Sequence, residues 1–422
     1  MTEPLTLDTI DIIGPDTYAE NGYPHEAWKL LRNEAPIFYW DRGVRFPFWA
    51  VTKHEDIIHI SKQPKIYENG PRMAVLVGGD LEQEDEEATE GVADGPPLVR
   101  QLLNMDPPEH GQYRKVASGW FTPRSIQRMA PEVEEITRER LDALEATGGS
   151  ADFVDCVTAP LTLAVLADML GVPRSDWKLM FQWTNQIAGS ADPEYQRPGE
   201  SQFETVKRAR ESLFKYFAEL GQERMADPRD DIVSVIVKGK VKGEPLPVLE
   251  MLSYFLVLVV AGNETTRNAA SGGLLALIEN PAEFEKLKRD PSLIDPAVEE
   301  IVRWTAPVIQ FCRTPNRDVE LRGQKIRAGE NLCLFYASAN RDEEVFENPD
   351  TFLVDRDPNP HLGFGIGEHF CLGANLARLE LRVLFRQLIE RFDGFELDGP
   401  VDRVRGSFLG GVKRMPIRFK SA

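Results

Sequence analysis

Residues 364–373 read FGIGEHFCLG and place Cys371 two positions after His369, among Gly365, Gly367 and Gly373. The run CLGANLARLELRVLFRQLIERF has helical periodicity, which predicts a helix over 371–392 with the thiol at its start. The free N–H groups of a helix N-terminus favour a thiolate there. Three chemistries use such a sulfur. A nucleophile needs a base, and His369 is close in sequence, although residues two apart in a loop rarely form a nucleophile–base hydrogen bond. A redox thiol needs a resolving partner, yet Cys156, Cys312 and Cys333 make no C-x-x-C pair with it. A ligand to haem iron needs backbone N–H groups around sulfur and room for a flat macrocycle, which glycines provide. A phosphate loop fits poorly, because the third glycine comes too late for G-x-G-x-x-G and the preceding DPNPHL is a poor strand.

Three other stretches combine chemistry-bearing residues at helical spacing. In AGNETT (261–266), Ala261 and Thr265 share a face, with Glu264 about 100° round the helix. A carboxylate and two threonines after a valine-rich run are costly if merely buried. Threonine can also bond its own upstream carbonyl and open the helix. In EEIVRW (299–304), Glu300 and Arg303 lie three apart on one face, a spacing that alone makes a surface pair of little worth. In MDPPEHGQYRKV (105–116), Asp-Pro-Pro opens a helix that puts His110 and Arg114 on one face.

These stretches resemble, in order and spacing, the motifs of the cytochromes P-450, the haem-thiolate monooxygenases. FGIGEHFCLG fills every fixed position of F-G-x-G-x-[HR]-x-C-x-G, AGNETT fills [AG]-G-x-[DE]-T-[TS], and Glu300 and Arg303 fill E-x-x-R. The resemblance covers essentially the whole chain and points to the soluble bacterial branch. It implies haem b (iron protoporphyrin IX) with Cys371 as the axial thiolate ligand and Phe364 packed beside it. His110, Arg114, Arg313 (in FCRTP) and His369 become donors to the haem propionates. Thr265 orders water and donates a hydrogen bond to bound dioxygen, Glu264 relays protons, and Ala261 with Gly262 leaves room for oxygen in a bent helix. Glu300 and Arg303 become a buried lock on the meander NPDTFLVDRDPNP, with Arg356 as third member.

The implied reaction inserts one oxygen atom from O2 into a lipophilic substrate. Electrons would come from separate proteins, a ferredoxin and its reductase. A haem-thiolate isomerase or peroxide-driven enzyme, and a non-catalytic haem sensor, are the alternatives. The sensor has no need for the acid–threonine pair that this sequence keeps, and the isomerase or peroxide-driven enzymes often depart from it. Candidate pocket residues are Met73, Val75, Leu76, Val257, Val260, Val308, Ile309, Phe311, Phe408 and Leu409. None is charged, and the resemblance favours a steroid, terpenoid or branched lipid.

These residues need a scaffold of mainly helices with small β-sheets. Strands about an Asp-Arg-Gly turn are expected over 36–52, helices over about 123–290, and a long helix over 247–279 carrying AGNETT. Strands follow at 317–337 and in the tail GVKRMPIRFK. With no linker or repeat, residues 1–422 read as one domain, with a mixed part over about 1–100 and a helical haem core beyond. The chain carries 49 basic and 68 acidic residues, a net charge of -19, which disfavours nucleic acid. Its N-terminus has no signal-like or anchor-like pattern, and the longest apolar run, within 252–262, falls short of the roughly 20 residues of a membrane span. A cytoplasmic monomer is the expectation. Residues 80–94 hold eight acids and read as a solvated loop. Arg378, Arg382 and Arg386 recur every four residues down the cysteine helix, a candidate docking stripe for an acidic ferredoxin.

Overall fold

A computed structural model describes residues 5–44, 46–75, 100–189 and 192–422. Leu76 and the acidic stretch 80–94 lie outside the described residues. Strands β1 (Ile37–Trp40) and β2 (Phe48–Val51) form the expected hairpin, and β3 (Tyr67–Glu68) follows. Next come α1 (Glu109–Ser118), β4 (Ser150–Asp152), α2 (Ala159–Met169), α3 (Trp177–Ala188), α4 (Val248–Glu279) and α5 (Ile294–Thr305). The chain ends with β5 (Gln310–Pro315), β6 (Asn331–Phe335), α6 (Ala374–Arg391), β7 (Phe392–Leu397) and β8 (Pro416–Ser421). The larger sheet has the order β1-β2-β6-β5-β3, and a smaller one the order β7-β8-β4. The helical majority with small sheets matches the expectation.

Helix α4 is apolar all round, with Leu252, Phe255, Leu256, Val259, Leu274 and Leu277 buried on different faces. A helix of this kind belongs in an interior. It is the one described helix long and apolar enough to cross a membrane, and most of its apolar stretch is buried inside the fold. At its C-terminal half it meets α5 and α6 closely. A Cβ on Gly273 would lie 2.7 Å from Phe385 Cζ and 2.8 Å from Ile301 Cγ2, so glycine sets the spacing of all three helices. Helix α4 runs as one continuous helix through AGNETT.

Helix α5 stops at Ala306, which sits at φ 34° ahead of Pro307. Left-handed backbone is costly for a residue with a Cβ, and proline blocks further helix. The stop turns the chain into β5, where alternation sends Phe311 and Arg313 to one face and Gln310 and Cys312 to the buried other.

The E-x-x-R pair is buried as expected. Glu300 and Arg303 side chains are both 0% exposed, joined by Nε to Oε2 at 2.7 Å and Nη2 to Oε1 at 2.8 Å. Arg303 also donates to the carbonyls of Asn340, Pro349 and Thr351, while Glu300 accepts from Leu353 N, Arg356 Nε and Asn359 Nδ2. One ion pair thus ties α5 to the meander at 340–359 that leads into the cysteine loop.

Candidate active site

The cysteine loop owes its shape to two glycines. Gly365 and Gly367 sit at φ 68° and 79°, and a Cβ on Gly367 would come within 2.5 Å of the Ser61 carbonyl oxygen. Only glycine adopts both the backbone and the approach without strain. The loop closes through Cys371 N donating to Phe364 O at 2.9 Å, and Arg114 Nη2 donates to Phe370 O at 2.6 Å. Helix α6 begins at Ala374, three residues later than the spacing suggested, so the thiol precedes the helix. Burial pushes the Cys371 thiol up, while the Gly373 N–H, Arg114 and Arg378 pull it back toward thiolate.

Cys371 opens onto an apolar cavity that α4 borders with Ala261, Gly262 and Thr265. Phe364, Gly365, His369 and Gly373 line it from the loop, and His110, Arg114 and Arg313 from α1 and β5. The imidazoles of His110 and His369 stack at 3.9 Å with 26° between planes. Burial and the nearby Arg114 and Arg313 lower both, with His110 adding to the effect on His369, so that His110 falls to about 4 and His369 to about 2 and both are neutral donors or acceptors at pH 7. His369 Nε2 lies 2.8 Å from Asn69 Nδ2, and Asp106 fixes Asn69 in turn. His110 Nε2 is buried with no partner. Asn69 and Tyr336, both on the cavity wall, were not legible in the sequence.

The donor set tests which cofactor fits. Among the described residues no group of three or more His, Cys, Asp or Glu side chains could hold a metal ion. An iron bound here takes one protein sulfur and must bring its other ligands with it. An orphaned imidazole nitrogen and two guanidinium groups on the same wall suit the carboxylates of a macrocycle. The residues fit an iron macrocycle held by Cys371.

Several site expectations need correction. Glu264 does not reach the cavity: its Oε2 pairs with Arg267 Nη2 one turn on, and Arg267 reaches Asn185 of α3 at 3.2 Å. Glu264 Oε1 is buried without a partner. The space missing at Gly262 is taken by Leu166 of α2, 3.1 Å from where a Cβ would lie. Of the pocket candidates, Val257, Val308 and Phe311 line the cavity. Val260, one helix step off the Val257–Ala261 face, packs into the main core, and Val75 and Ile309 are buried in a second cluster. Met73 contributes its carbonyl to Cys312 N, and Phe408 and Leu409 lie behind the wall against Phe311 and Val308.

The arginine stripe is also not free. Arg378 donates twice to Glu299 at 2.6 and 2.7 Å, Arg382 lies 3.2 Å from Asp295, and Arg386 lies 2.7 Å from Glu134. Local carboxylates neutralise it, so it offers no unpaired basic face. His361 Nε2 lies 3.0 Å from Glu299 as well. Burial alone pushes the Glu299 carboxyl up, but the hydrogen bonds from Arg378 and His361 outweigh it and hold it at about 2. A depressed folded value stabilises above the ordinary 4.5 and is lost as pH falls toward about 2. Denaturant midpoints should drop through that window. Glu299→Gln should cost on the order of 3 kcal/mol at neutral pH and flatten that limb. A limb unchanged by the substitution would assign the acid lability to other groups.

The family model described as "Cytochrome P450" matches residues 57–414. The chain belongs to the cytochrome P-450 family. Among curated members, "Cytochrome P450-terp" of Pseudomonas sp is 36% identical over 418 residues, covering 97% of each chain. The "Steroid C26-monooxygenase" of Mycobacterium tuberculosis is 37% identical over 423 residues, covering 97% of this chain and 92% of that one. A solved Mycobacterium marinum cytochrome, CYP268A2 in complex with pseudoionone, superposes with a TM-score of 0.88 at 34% identity, covering 99% and 100% of the two chains. This cytochrome P-450 is therefore an oxidoreductase of a haem-iron monooxygenase family.

Proposed function

We propose that this cytochrome P-450 uses haem b, which Cys371 would hold through its iron, to insert one oxygen atom from O2 into a steroid, terpenoid or branched lipid. The observation that carries the reading is that Cys371 and Thr265 open onto one apolar cavity with His110, Arg114 and Arg313. Relatives named "Steroid C26-monooxygenase" and "Methyl-branched lipid omega-hydroxylase" support the substrate class. A ferredoxin and its reductase supply electrons, and the protein works as a cytoplasmic, single-domain monomer.

When bound, the haem supplies oxygen activation and hydrogen abstraction; the chain's residues supply position and protons. Cys371 would hold the iron and lend it electron density. His110, Arg114 and Arg313 would hold the propionates, with His369 stacked on His110 at the same wall. Val257, Val308 and Phe311 exclude water and orient an apolar substrate. The Thr265 hydroxyl donates to Ala261 O at 2.7 Å and still offers lone pairs to cavity water. Glu264 reaches that water only after releasing Arg267.

A carbon-monoxide difference spectrum of the reduced protein tests the ligand, with the red-shifted Soret band of thiolate ligation as the expected result. Steroids, terpenes and branched fatty acids should then shift the ferric spin state. Shifts only with charged, hydrophilic compounds would sink the substrate class, and a spectrum without the thiolate band would sink the ligand assignment.

A further inference from the structure

The stretch KGKVKGEPLPVL (238–249) carries three lysines and one acid on a chain of net charge -19. It forms a hairpin, Lys240–Val241 paired with Glu244–Pro245, that leads through Leu246 into the first turn of α4. Gly239 seats the hairpin on α1, since a Cβ there would lie 2.5 Å from Val116 Cγ1. That contact brings the exposed Lys115 of α1 beside the exposed Lys238, Lys240 and Lys242. None of the four forms an ion pair among the described residues, unlike the arginines of α6. Lys242 sits at the hairpin tip at φ 54°, ahead of Gly243 at φ 89°. Left-handed backbone there favours asparagine or glycine, so this lysine holds its place at a conformational cost. Beside the lysines, Val248 is 67% and Leu249 48% exposed, the one adjacent pair of exposed large hydrophobics among the described residues. A single exposed aliphatic is ordinary, but a pair flanked by unpaired lysines has the chemistry of a lipid-facing surface.

We propose that this face docks the protein on an anionic lipid surface, the lysines meeting phosphate headgroups while Val248 and Leu249 enter the headgroup–acyl boundary. Charges beyond a Debye length of about 8 Å are screened, so the local lysines act despite the net charge. The acids elsewhere are repelled by the same surface and set the orientation. Charge alone would suit an acidic protein as well; the exposed aliphatic pair favours lipid. The docked turn opens the helix that borders the cavity, about 14 Å along its axis from Val257. A lipophilic substrate partitions into bilayers, so docking would hold the cavity near its supply. That purpose rests on the proposed substrate class; the docking does not.

Sedimentation of the holoprotein with vesicles is the test. It should bind vesicles containing phosphatidylglycerol, bind pure phosphatidylcholine at least roughly tenfold more weakly, and be released by salt. Lys238→Gln, Lys240→Gln and Lys242→Gln together should weaken anionic binding on the order of a hundredfold, about fivefold for each lysine. Val248→Ser with Leu249→Ser should weaken what binding remains once salt screens the lysines. All five positions are exposed and outside the cavity wall, so the thiolate spectrum and melting midpoint should stay as in the wild type. Lys178→Gln, Lys207→Gln and Lys215→Gln, at exposed lysines elsewhere, change the net charge equally and should leave binding unmoved. Equal losses in the two lysine sets would make binding a matter of net charge and overturn the site. No wild-type binding to anionic vesicles overturns it too, and slower reduction by an acidic ferredoxin in the hairpin variants would then give the face to a protein partner. Failure of the substrate reading looks different: vesicle binding would persist while no lipophilic compound shifted the spin state.

Discussion

Arg303→Leu is expected to destabilise the protein by about 3–5 kcal/mol, the range for breaking a buried ion pair by removing one partner. Arg303 is 1% exposed and donates to Glu300 and to three backbone carbonyls. Leucine removes all of those donors and leaves the carbonyls at 340–351 unpaired in the interior. Glu300 keeps Arg356 and Asn359, which is why complete unfolding is not the prediction. A typical domain has only about 5–15 kcal/mol in reserve, so the variant should also lose haem on mild denaturation. Lysine keeps the charge but not the planar fork that serves Glu300 and the carbonyls together, so Arg303→Lys should fall between. Arg382→Ala is the comparison, because its exposed pair with Asp295 is worth about 0–1 kcal/mol. Urea melts of the three holoproteins measure the differences. If Arg303→Leu matched Arg382→Ala, the pair would not be the lock that its burial indicates.

The same i,i+3 rule that marks Glu300 and Arg303 in the sequence also applies to Glu264 and Arg267. In AGNETTR the carboxylate's partner lies in the next turn of its own helix, and the pair is buried. Spacing alone does not distinguish an acid aimed at a cavity from one held away from it; that depends on where α3 places Asn185. The arginine stripe failed for a related reason. Its period on α6 was legible, but the acids that neutralise it come from α5 and from residue 134, far off in sequence. Cavity-lining residues on α4 and β5 could be read because helix and strand periods fix their faces. The tail pair Phe408 and Leu409 had no period to follow, and they ended one layer behind the wall. The two loop glycines were legible because a positive φ and a close backbone approach both demand glycine. Asn69 carried no local signal, since it matters only through what faces it across the cavity.

Thr265→Ala is expected to leave fold, haem and substrate binding intact while separating oxygen use from product. The hydroxyl's one observed bond is to the carbonyl four residues back, a contact that slightly strains rather than secures a helix. Its loss should change stability by no more than about 1 kcal/mol. Without the hydroxyl, cavity water loses its fixed partner on α4, and a proton relay of this kind typically contributes 10²–10⁴-fold. Product formation should fall toward that range while electron consumption continues, with peroxide making up the difference. Glu264→Gln is a less clean probe, because it leaves Arg267 charged, 2% exposed and without its carboxylate. A loss of activity there would mix proton delivery with local unfolding. Thr265→Ser restores the hydroxyl and should recover most of the coupling if the oxygen atom is what matters. Measuring product, O2 and peroxide together in the three variants decides the point. Unchanged coupling in Thr265→Ala would move the proton route off this hydroxyl altogether.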